Sequence, residues 1–546
     1  EFVEKFMKKQ NFNPNDLQQF AKENQDQNIM VIGSTGMGKT EASLLWLNGE
    51  KGFYTLPLKV SSNAIYKRIR EEYNFKDVAL LHSESLQKYI EESVDEQRKD
   101  DEEKSAKEKF EKTKMFSAPL TISTVDQLFL FVYKALGTEI MAATLKYSKV
   151  IIDEIQSYEP RIVAALIYGL KTISQMGGKF AIMTATLPPV LLDFMKKYGL
   201  IKNETYCFGD FSAENVMQRH MIKLYEQEFN LEEIAEEAKN KKVLVICNTV
   251  RKAQETYSLL EEYMDNVYSL HARYIKKHRK MLEKNIMQFS ENRESVGIWV
   301  TTQIVEASLD IDFDILYTEM CTADSLLQRM GRCNRKGRYI PLKPNIKIYK
   351  TENANRQVKN RTENTGIYYQ DLFERSWECL SVYENQIFTE EQKINYINEV
   401  YDTEKIVNNI LDISRFNMGY FDFEYFQELP VNELSKREVE KNFRMIKSVS
   451  VMPDKIYNEN EDFIEKYQSE ICDRHLGREA KGILKTKLDE LTLSVTLYNE
   501  YSMKKEGIEG VIEKTDIHHT DFVYDFDEEV GKGIGLSKTE REGNIL

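Results

Sequence analysis

The sequence predicts an α/β protein with two tandem parallel sheets, a helical linker region and a C-terminal accessory domain. Three observations predict it. From Val31 to about Asp314, short apolar runs alternate with amphipathic helical stretches, the rhythm of parallel strands with helices on both faces. The runs are short and β-branched, as strands buried on both sides are. A charged, helix-favouring segment, Asn230 to Lys242, then precedes a fresh strand, which divides the pattern into two sheets.

The first expected strand, Met30 to Gly33, enters Gly33-Ser34-Thr35-Gly36-Met37-Gly38-Lys39-Thr40, and helix-favouring Glu41 to Leu47 follows. This is G-x-x-x-x-G-K-T in the strand-loop-helix context the motif needs. Gly33, Gly36 and Gly38 let backbone N–H groups wrap phosphates at a helix N-terminus, where the dipole favours anions. Lys39 is placed to reach the β and γ phosphates, and the Thr40 hydroxyl to ligate Mg²⁺. After a strand at Gly52 to Leu56, the strand Lys149 to Asp153 ends in Asp153-Glu154-Ile155-Gln156. Asp153 would hold Mg²⁺ at the mouth of the sheet and Glu154 would polarise the attacking water. Hydrolysis of ATP or GTP is the base reading.

The strand Phe180 to Thr184 runs into Thr184-Ala185-Thr186-Leu187-Pro188-Pro189, whose hydroxyls could bridge the phosphate site to a second domain. Ordinary turn chemistry explains it too. In the second sheet, strands are expected at Val243 to Asn248 and Gly297 to Thr301. There Thr302 to Asp310 is followed by Gln328-Arg329-Met330-Gly331-Arg332-Cys333-Asn334-Arg335. Its three arginines at spacings of three are expected along one side of a helix. A planar guanidinium suits a transferring phosphoryl group, although a solvated basic helix accounts for the run better when it is taken alone.

At roughly 150 residues per domain, the 546 residues suggest three to four domains. The expected divisions are 1–206, 207–350, a helical linker at 351–470 and a C-terminal domain at 471–546. The segment 91–114 carries ten acids and seven bases, so it reads as a solvated helix or mobile loop inserted in the first domain. With 75 Lys and Arg against 89 Asp and Glu, the formal charge of −14 excludes a generally basic coat for nucleic acid. It leaves room for a local basic groove, for which Lys59, Lys67, Arg68, the run Lys276 to Lys280, and Arg335 to Arg338 are candidates. Acids concentrate at Glu91 to Glu111 and Asp521 to Glu529. The six cysteines form no C-x-x-C pair, so reduced thiols are expected rather than zinc or disulfides. His518-His519-Thr520-Asp521 is the nearest metal candidate and more often a surface feature. No run approaches the roughly 18 to 20 apolar residues of a membrane span, and no signal peptide is seen at the start. A soluble cytoplasmic protein with no membrane partner is expected.

The ordered motifs resemble superfamily 2 helicases, in which two RecA-like domains close on ATP and walk along a strand. Thr55-Leu56-Pro57-Leu58-Lys59, Ser123-Thr124-Val125-Asp126-Gln127, Asp153-Glu154-Ile155-Gln156-Ser157-Tyr158, Ser269-Leu270-His271-Ala272-Arg273-Tyr274 and Glu306-Ala307-Ser308-Leu309-Asp310 are similar to the helicase part of the CRISPR-associated helicase-nuclease of type I systems. The resemblance spans roughly Phe12 to Arg338. It implies that Gln18 reads the adenine edge, with Gln19 as the register alternative, and that Asp310 approaches the ribose. It implies arginine fingers at Arg332 and Arg335, and coupling of Gln328 to the acidic motif. There Gln156 replaces the usual His or Asp. Asn63, Thr124 and Thr302 would grip the phosphate backbone of the tracked strand, with Lys59 and Arg273 in the same segments.

The function so implied is ATP- and Mg²⁺-dependent translocation and unwinding of single-stranded DNA in type I CRISPR interference, with 3′ to 5′ polarity. Recruitment would be by a crRNA-guided surveillance complex, Cascade. That family also carries an HD nuclease, and only about 30 residues precede the phosphate loop. The nuclease is therefore expected either as a separate HD polypeptide or upstream of Glu1, and no nuclease activity is expected from these residues. Two alternatives stay open: a superfamily 2 DNA or RNA helicase outside CRISPR, and a non-catalytic ATP-binding interaction module.

Overall fold

The computed structural model describes residues 2–34, 36–82, 85, 88–89, 102–201, 206–212, 217–307, 309–359, 366–409, 423–435, 438–439, 447–473, 475–497 and 507–538. The apolar runs of the first third become β1 (Asn28–Ile32), β2 (Gly52–Leu56), β3 (Val78–Leu81), β4 (Leu120–Thr124), β5 (Lys149–Asp153), β6 (Lys179–Thr184) and β7 (Tyr206–Asp210). They form one sheet in the order β3-β4-β2-β5-β6-β1-β7, parallel at every pairing. Side chains alternate across a strand, so a strand covered on both faces must be apolar at every position. In β5, Val150 and Ile152 enter one core and Ile151 the other; in β1, Met30 separates from Ile29 and Val31 in the same way.

A second sheet repeats the plan. Its strands are β8 (Ile222–Tyr225), β9 (Lys242–Ile246), β10 (Val267–Leu270), β11 (Gly297–Thr301), β12 (Ile315–Glu319) and β13 (Ile346–Tyr349), in the order β10-β11-β9-β12-β13-β8 and again parallel throughout. In such sheets the loops at the carboxyl ends of the strands meet helix N-termini, which is where ligands bind. The strand order therefore decides which motifs become neighbours. β5, β6 and β1 are adjacent, so the phosphate loop, the paired acids and Thr184 stand side by side. β2 and β4 are also adjacent, with Leu56 opposite Thr124, which sets Thr124 beside the segment leading to Lys59.

Three expected boundaries move. β7 pairs with β1, so the first sheet extends past 206 to Asp210 and the second opens with β8. The expected linker is not a separate unit: in its helices Gln370–Ser381 and Glu390–Val400, Leu372, Phe373, Tyr396 and Ile397 complete the core beneath Leu316, Met320 and Leu326. The chain passes β14 (Val358–Lys359) and β15 (Tyr368–Tyr369) on the way, and later returns to the first sheet, where Phe423 stacks on Tyr198 at 3.9 Å between ring centroids. The C-terminal unit reaches back to β16 (Lys447–Pro453), because that strand pairs with β17 (Leu493–Leu497) and β19 (Ile517–Thr520), which in turn pairs with β18 (Ile508–Val511). Strand pairing, not composition, sets these limits. Of the charged insertion, the helix Glu102–Lys114 lies between β3 and β4 and packs through Phe110 on the first core, while residues 91–101 fall outside the described residues.

The hairpin β20 (Val523–Asp527) and β21 (Lys532–Ser537) seals the C-terminal unit onto the second sheet. The Leu536 N–H donates to the Arg273 carbonyl at 2.8 Å, Tyr274 Oη to the Gly533 carbonyl at 2.6 Å, and Gln254 Nε2 to the Ile534 and Leu536 carbonyls. Gly535, at φ +65°, allows this approach, since a Cβ there would lie 2.6 Å from the Arg273 oxygen.

The run Lys276 to Lys280 is part of the same seam, which corrects its expected place in a nucleic-acid groove. Lys276 Nζ sits 2.6 Å from both Asp489 carboxylate oxygens, Lys277 Nζ 2.7 Å from Glu528, and Lys280 Nζ 3.0 Å from Glu490. His278 contacts Tyr524 Oη through Nδ1 at 2.8 Å and Glu528 through Nε2 at 2.7 Å. Acids near the C-terminus thus neutralise this basic run instead of forming a separate shell. No helix among the described residues is long and apolar enough to cross a membrane, none of their His, Cys, Asp and Glu side chains cluster as a metal site, and all six cysteines are free.

The double variant Asp489→Asn, Glu528→Gln is expected to loosen this seam by about 1 kcal/mol, the scale of partly exposed pairs. Limited proteolysis after Lys447 should accelerate accordingly; an unchanged cleavage rate would mean that the apolar hairpin contacts hold the unit alone.

Candidate active site

The phosphate loop is held from above. At the start of the helix Asp16–Glu23, Asn15 and Gln18 cap each other: Gln18 N–H donates to Asn15 Oδ1 at 2.9 Å, and Asn15 N–H to Gln18 Oε1 at 3.1 Å. Asn15 Nδ2 donates to the Met37 carbonyl at 2.8 Å and Gln18 Nε2 to the Gly38 carbonyl at 3.4 Å. Gly38 has φ +79°, the left-handed conformation that favours glycine, and a Cβ there would displace the Gln18 amide, which lies 2.3 Å from that point. Gln18 is buried against the loop, whereas Gln19 is exposed and bonds Glu23, which separates the two register alternatives. From below, Gly33 N–H donates to the Thr184 carbonyl at 3.0 Å; Gly36 is exposed at the loop tip. Lys39 and Thr40 open the helix Lys39–Leu47.

Lys39 Nζ donates to the Gly33 carbonyl at 2.8 Å and stands 3.2 Å from Glu154 Oε1. The two acids are made unlike by their surroundings. Burial first, and then the adjacent Glu154 charge, push the Asp153 carboxyl up to about 7. Burial also raises Glu154, but Lys39, the Gln156 amide and the Ala185 N–H outweigh it and hold Glu154 below its ordinary value. Glu154 has a left-handed backbone, φ +50°, which turns its side chain back over the loop. Gln156 Nε2 donates to Glu154 Oε2 at 2.5 Å and Ala185 N–H to the same oxygen at 3.2 Å. The Thr184 hydroxyl, 2.6 Å from Gln156 Oε1, completes this clasp.

Asp153 Oδ2 accepts from Tyr54 Oη at 3.0 Å, while Oδ1 is buried with no hydrogen-bond partner. An orphaned carboxylate oxygen beside a second acid, with one lysine between them, lacks positive charge. A hard divalent cation taking oxygen ligands fits there, with Asp153 and the Thr40 hydroxyl as donors.

The second sheet brings its own groups. Gln328 Nε2 donates to Ser157 Oγ at 3.0 Å, across to the turn after the acidic motif. The residue it meets is Ser157; Gln156 bonds within the first sheet. The helix carrying Gln328 ends at Met330, and the chain turns toward Phe313, so the three arginines do not share a helix face as expected. Arg329 is fully buried, with all five N–H donors engaged: Glu306 at 2.7 Å, Thr318 Oγ1 at 2.9 Å, the Glu319 carbonyl at 3.0 Å, Asn248 Oδ1 at 2.9 Å and Tyr368 Oη at 2.9 Å. Arg332 is anchored on the Leu309 carbonyl at 2.7 Å and on the Glu306 carbonyl, which leaves its buried Nε unpartnered. Burial and Arg335 lower Arg332 to about 9, against the opposing pull of Asp310, Glu306 and Glu154. Arg335 Nε lies 3.3 Å from Asp310, which is itself largely exposed.

The segment joining the two sheets grips this arginine turn. Arg219 Nη1 donates to the Arg335 carbonyl at 2.9 Å, Asn334 Nδ2 donates to the Arg219 carbonyl at 3.1 Å, and His220 Nε2 lies 2.8 Å from the Cys333 carbonyl. Arg219 is buried on Glu390, at 3.0 Å, which also pairs with Lys393 at 2.5 Å. Motif spacing missed Tyr54 and Arg219, because they enter through a neighbouring strand and the linking segment; Ser157 lies in the acidic motif's own turn, and only its pairing with Gln328 was not legible. Of the strand-gripping candidates, Asn63 Oδ1 meets His82 Nε2 at 2.8 Å, Lys59 starts the helix Lys59–Glu71, and Thr124 is buried beside them at the end of β4. Arg273 and buried Thr302 follow the adjacent strands β10 and β11. Arg68 pairs with Glu41, while Lys67 is exposed beside Glu71 one turn on.

A phosphate loop and paired acids at the mouth of one parallel sheet, facing arginines from a second, define a two-sheet, RecA-like helicase region. Residues 15–194 match the family model of the DEAD/DEAH box helicases. Residues 239–338 match that of the C-terminal part of the CRISPR-associated nuclease/helicase Cas3. The particular likeness is thus to Cas3. It is 28% identical over 505 residues to the CRISPR-associated nuclease/helicase Cas3 of Methanothermobacter thermautotrophicus, covering 87% of this chain and 58% of that one. The chain therefore spans little more than half the length of that relative. A crystal structure of T. fusca Cas3 with ATP superposes with a TM-score of 0.68 at 16% identity, over 93% of this chain and 67% of that one. A CRISPR RNA-guided surveillance complex in a pre-nicking state contains a chain that superposes at 0.59 and 16% identity, over 93% of this chain and 66% of that one.

Arg329→Met is expected to destabilise the second sheet unit by about 3–5 kcal/mol, because it strands buried Glu306 and several acceptors. Denaturant unfolding followed through the buried Trp299 measures it, and a loss under about 1 kcal/mol would contradict the hub role.

Proposed function

We propose that this chain is an ATP-dependent translocase and helicase acting on single-stranded DNA in type I CRISPR interference. The observation that carries the reading is the half-buried pair Asp153 and Glu154 with Lys39 at the phosphate loop, and the unpartnered Arg332 Nε opposite. Lys39 is held by Glu154 and the Gly33 carbonyl, so an incoming triphosphate draws the lysine onto its β and γ oxygens and frees the Glu154 carboxylate. Glu154, clasped by Gln156 and the Ala185 N–H, then accepts a proton from the attacking water. Gln18 lies above the loop on the side where a base would stack, and Asp310 could exchange Arg335 for a ribose hydroxyl. Mg²⁺ at Asp153 and Thr40, when bound, neutralises phosphate charge. Arg332 and Arg335 spread charge over the transferring phosphoryl group once the sheets close, with Gln328 and Ser157 forming one contact across the cleft.

Asn63, Thr124 and Thr302, with Lys59 and Arg273, form the edge along which a strand would be gripped by its phosphates. The likeness to Cas3 supports DNA in the role of substrate, a cytoplasmic site of action, a crRNA-guided surveillance complex, Cascade, as the recruiting partner, and an HD nuclease as the activity supplied beside it. Polarity from 3′ to 5′ belongs to the same reading.

Glu154→Gln is expected to lower the ATP turnover rate by about 10²–10⁴-fold while a fluorescent ATP analogue still binds; Lys39→Ala should lose both. Unchanged hydrolysis in Lys39→Ala would place the site elsewhere, and stronger stimulation by RNA than by single-stranded DNA would remove the CRISPR reading.

A pH dependence follows from Asp153. Its carboxyl titrates near 7 with no cation bound, and the cation needs the ionised form, so protons compete increasingly as pH falls below 7. The Mg²⁺ concentration for half-maximal ATP hydrolysis is expected to be nearly constant above pH 8 and to rise by up to about tenfold per unit below 7. A flat profile between pH 5.5 and 8 would argue against Asp153 as the ligand.

A further inference from the structure

Glu41, in the first turn of the helix that follows the phosphate loop, is only 8% exposed. Its Oε1 accepts from Arg68 Nη2 at 2.6 Å and from Tyr73 Oη at 2.5 Å. The Arg68 guanidinium also lies over the Tyr73 ring, 5.4 Å from its centroid. The second oxygen, Oε2, faces the loop, 3.3 Å from the point a Gly38 Cβ would occupy and beside the Gln18 amide. One carboxylate therefore borders the space above Gly38 of the phosphate loop on one side and bonds Arg68 on the other. Arg68 belongs to the helix Lys59–Glu71, whose first turns carry Lys59 and Asn63. Packing alone does not call for a charge here, since apolar groups of like volume stabilise such a contact at least as well. What an ion pair between buried Glu41 and half-buried Arg68 adds is direction: it fixes one register between two elements and opposes any other.

We infer that Glu41 is a positioning residue that couples strand engagement at the helix Lys59–Glu71 to the phosphate loop. The inference rests on the helicase reading above. Gripping a strand at Lys59 and Asn63 shifts that helix, Arg68 carries the shift to Glu41, and Glu41 lies two residues from Lys39 on a single helical turn. The geometry of the lysine and the loop is thereby set by whether DNA is bound. Arg68 serves this link and not the phosphate backbone.

The test uses the full chain and compares wild type, Glu41→Gln and Tyr73→Phe. The readouts are the ratio of ATP turnover with and without single-stranded DNA, DNA affinity by fluorescence anisotropy, and thermal unfolding. In Glu41→Gln the stimulation ratio is expected to fall about tenfold, the scale of a typical coupling energy, while DNA affinity stays within about twofold. Tyr73→Phe keeps the Arg68 pair and removes one hydrogen bond, so the ratio should fall about threefold, within the same range. An unchanged ratio in both variants overturns the inference, as does a ratio lost together with DNA affinity. If Glu41→Gln does not fold, Tyr73→Phe decides alone. Wild type that DNA does not stimulate at all would remove the helicase reading itself, and this inference with it.

Discussion

Two carboxylates stand at the end of one buried strand with a single lysine between them, and much of the molecule is arranged around that imbalance. Asp153 and Glu154 cannot both be comfortably ionised in so apolar a place, so Asp153 is driven up to about 7 while Lys39 and the Gln156 clasp keep Glu154 charged. The site is therefore short of positive charge in a specific position, next to Asp153 Oδ1. Its surroundings meet that need by geometry. Tyr54 steadies the other Asp153 oxygen, the left-handed turn at Glu154 aims the second acid at the loop, and Asn15 and Gln18 hold the loop closed from above.

The second sheet answers with arginines that differ in kind. Arg329 spends every donor inside the protein and fastens β12, Asn248, Glu306 and Tyr368 to one another. Arg332 keeps one buried N–H without an acceptor, and the Arg335 guanidinium pairs with exposed Asp310. The linking segment grips the Arg335 carbonyl through Arg219, which fastens that turn to the entrance of β8. The buried trio Arg219, Glu390 and Lys393 makes the grip rigid and draws a helix from beyond residue 351 into the core of the second unit.

Net charge hides this organisation. The value of −14 is a sum in which several basic stretches are offset by acids facing them. The run Lys276 to Lys280, basic by count, is a docking seam for the C-terminal unit, and Arg68 is taken up by Glu41. The charge left at the proposed strand-gripping edge is thus smaller and more local than the sequence suggests, as suits contact made largely by small donors such as Asn63 and Thr124.

The sequence by itself determined the two parallel sheets and the ends of the strands at which the phosphate loop, the acids and the arginine motif sit. Those features are local: a glycine loop needs its own strand and helix, and a strand buried on both faces must be apolar throughout. Only the tertiary structure decided that β7 closes the first sheet, that β16 opens the C-terminal unit, and that the helices after residue 351 are core. It alone set Gln328 on Ser157, Arg219 on the arginine turn and Glu41 between loop and helix. Each of those contacts joins residues far apart in the chain or on different elements. Periodicity and spacing carry no information about which strand lies next to which, and burial and pairing follow from that order.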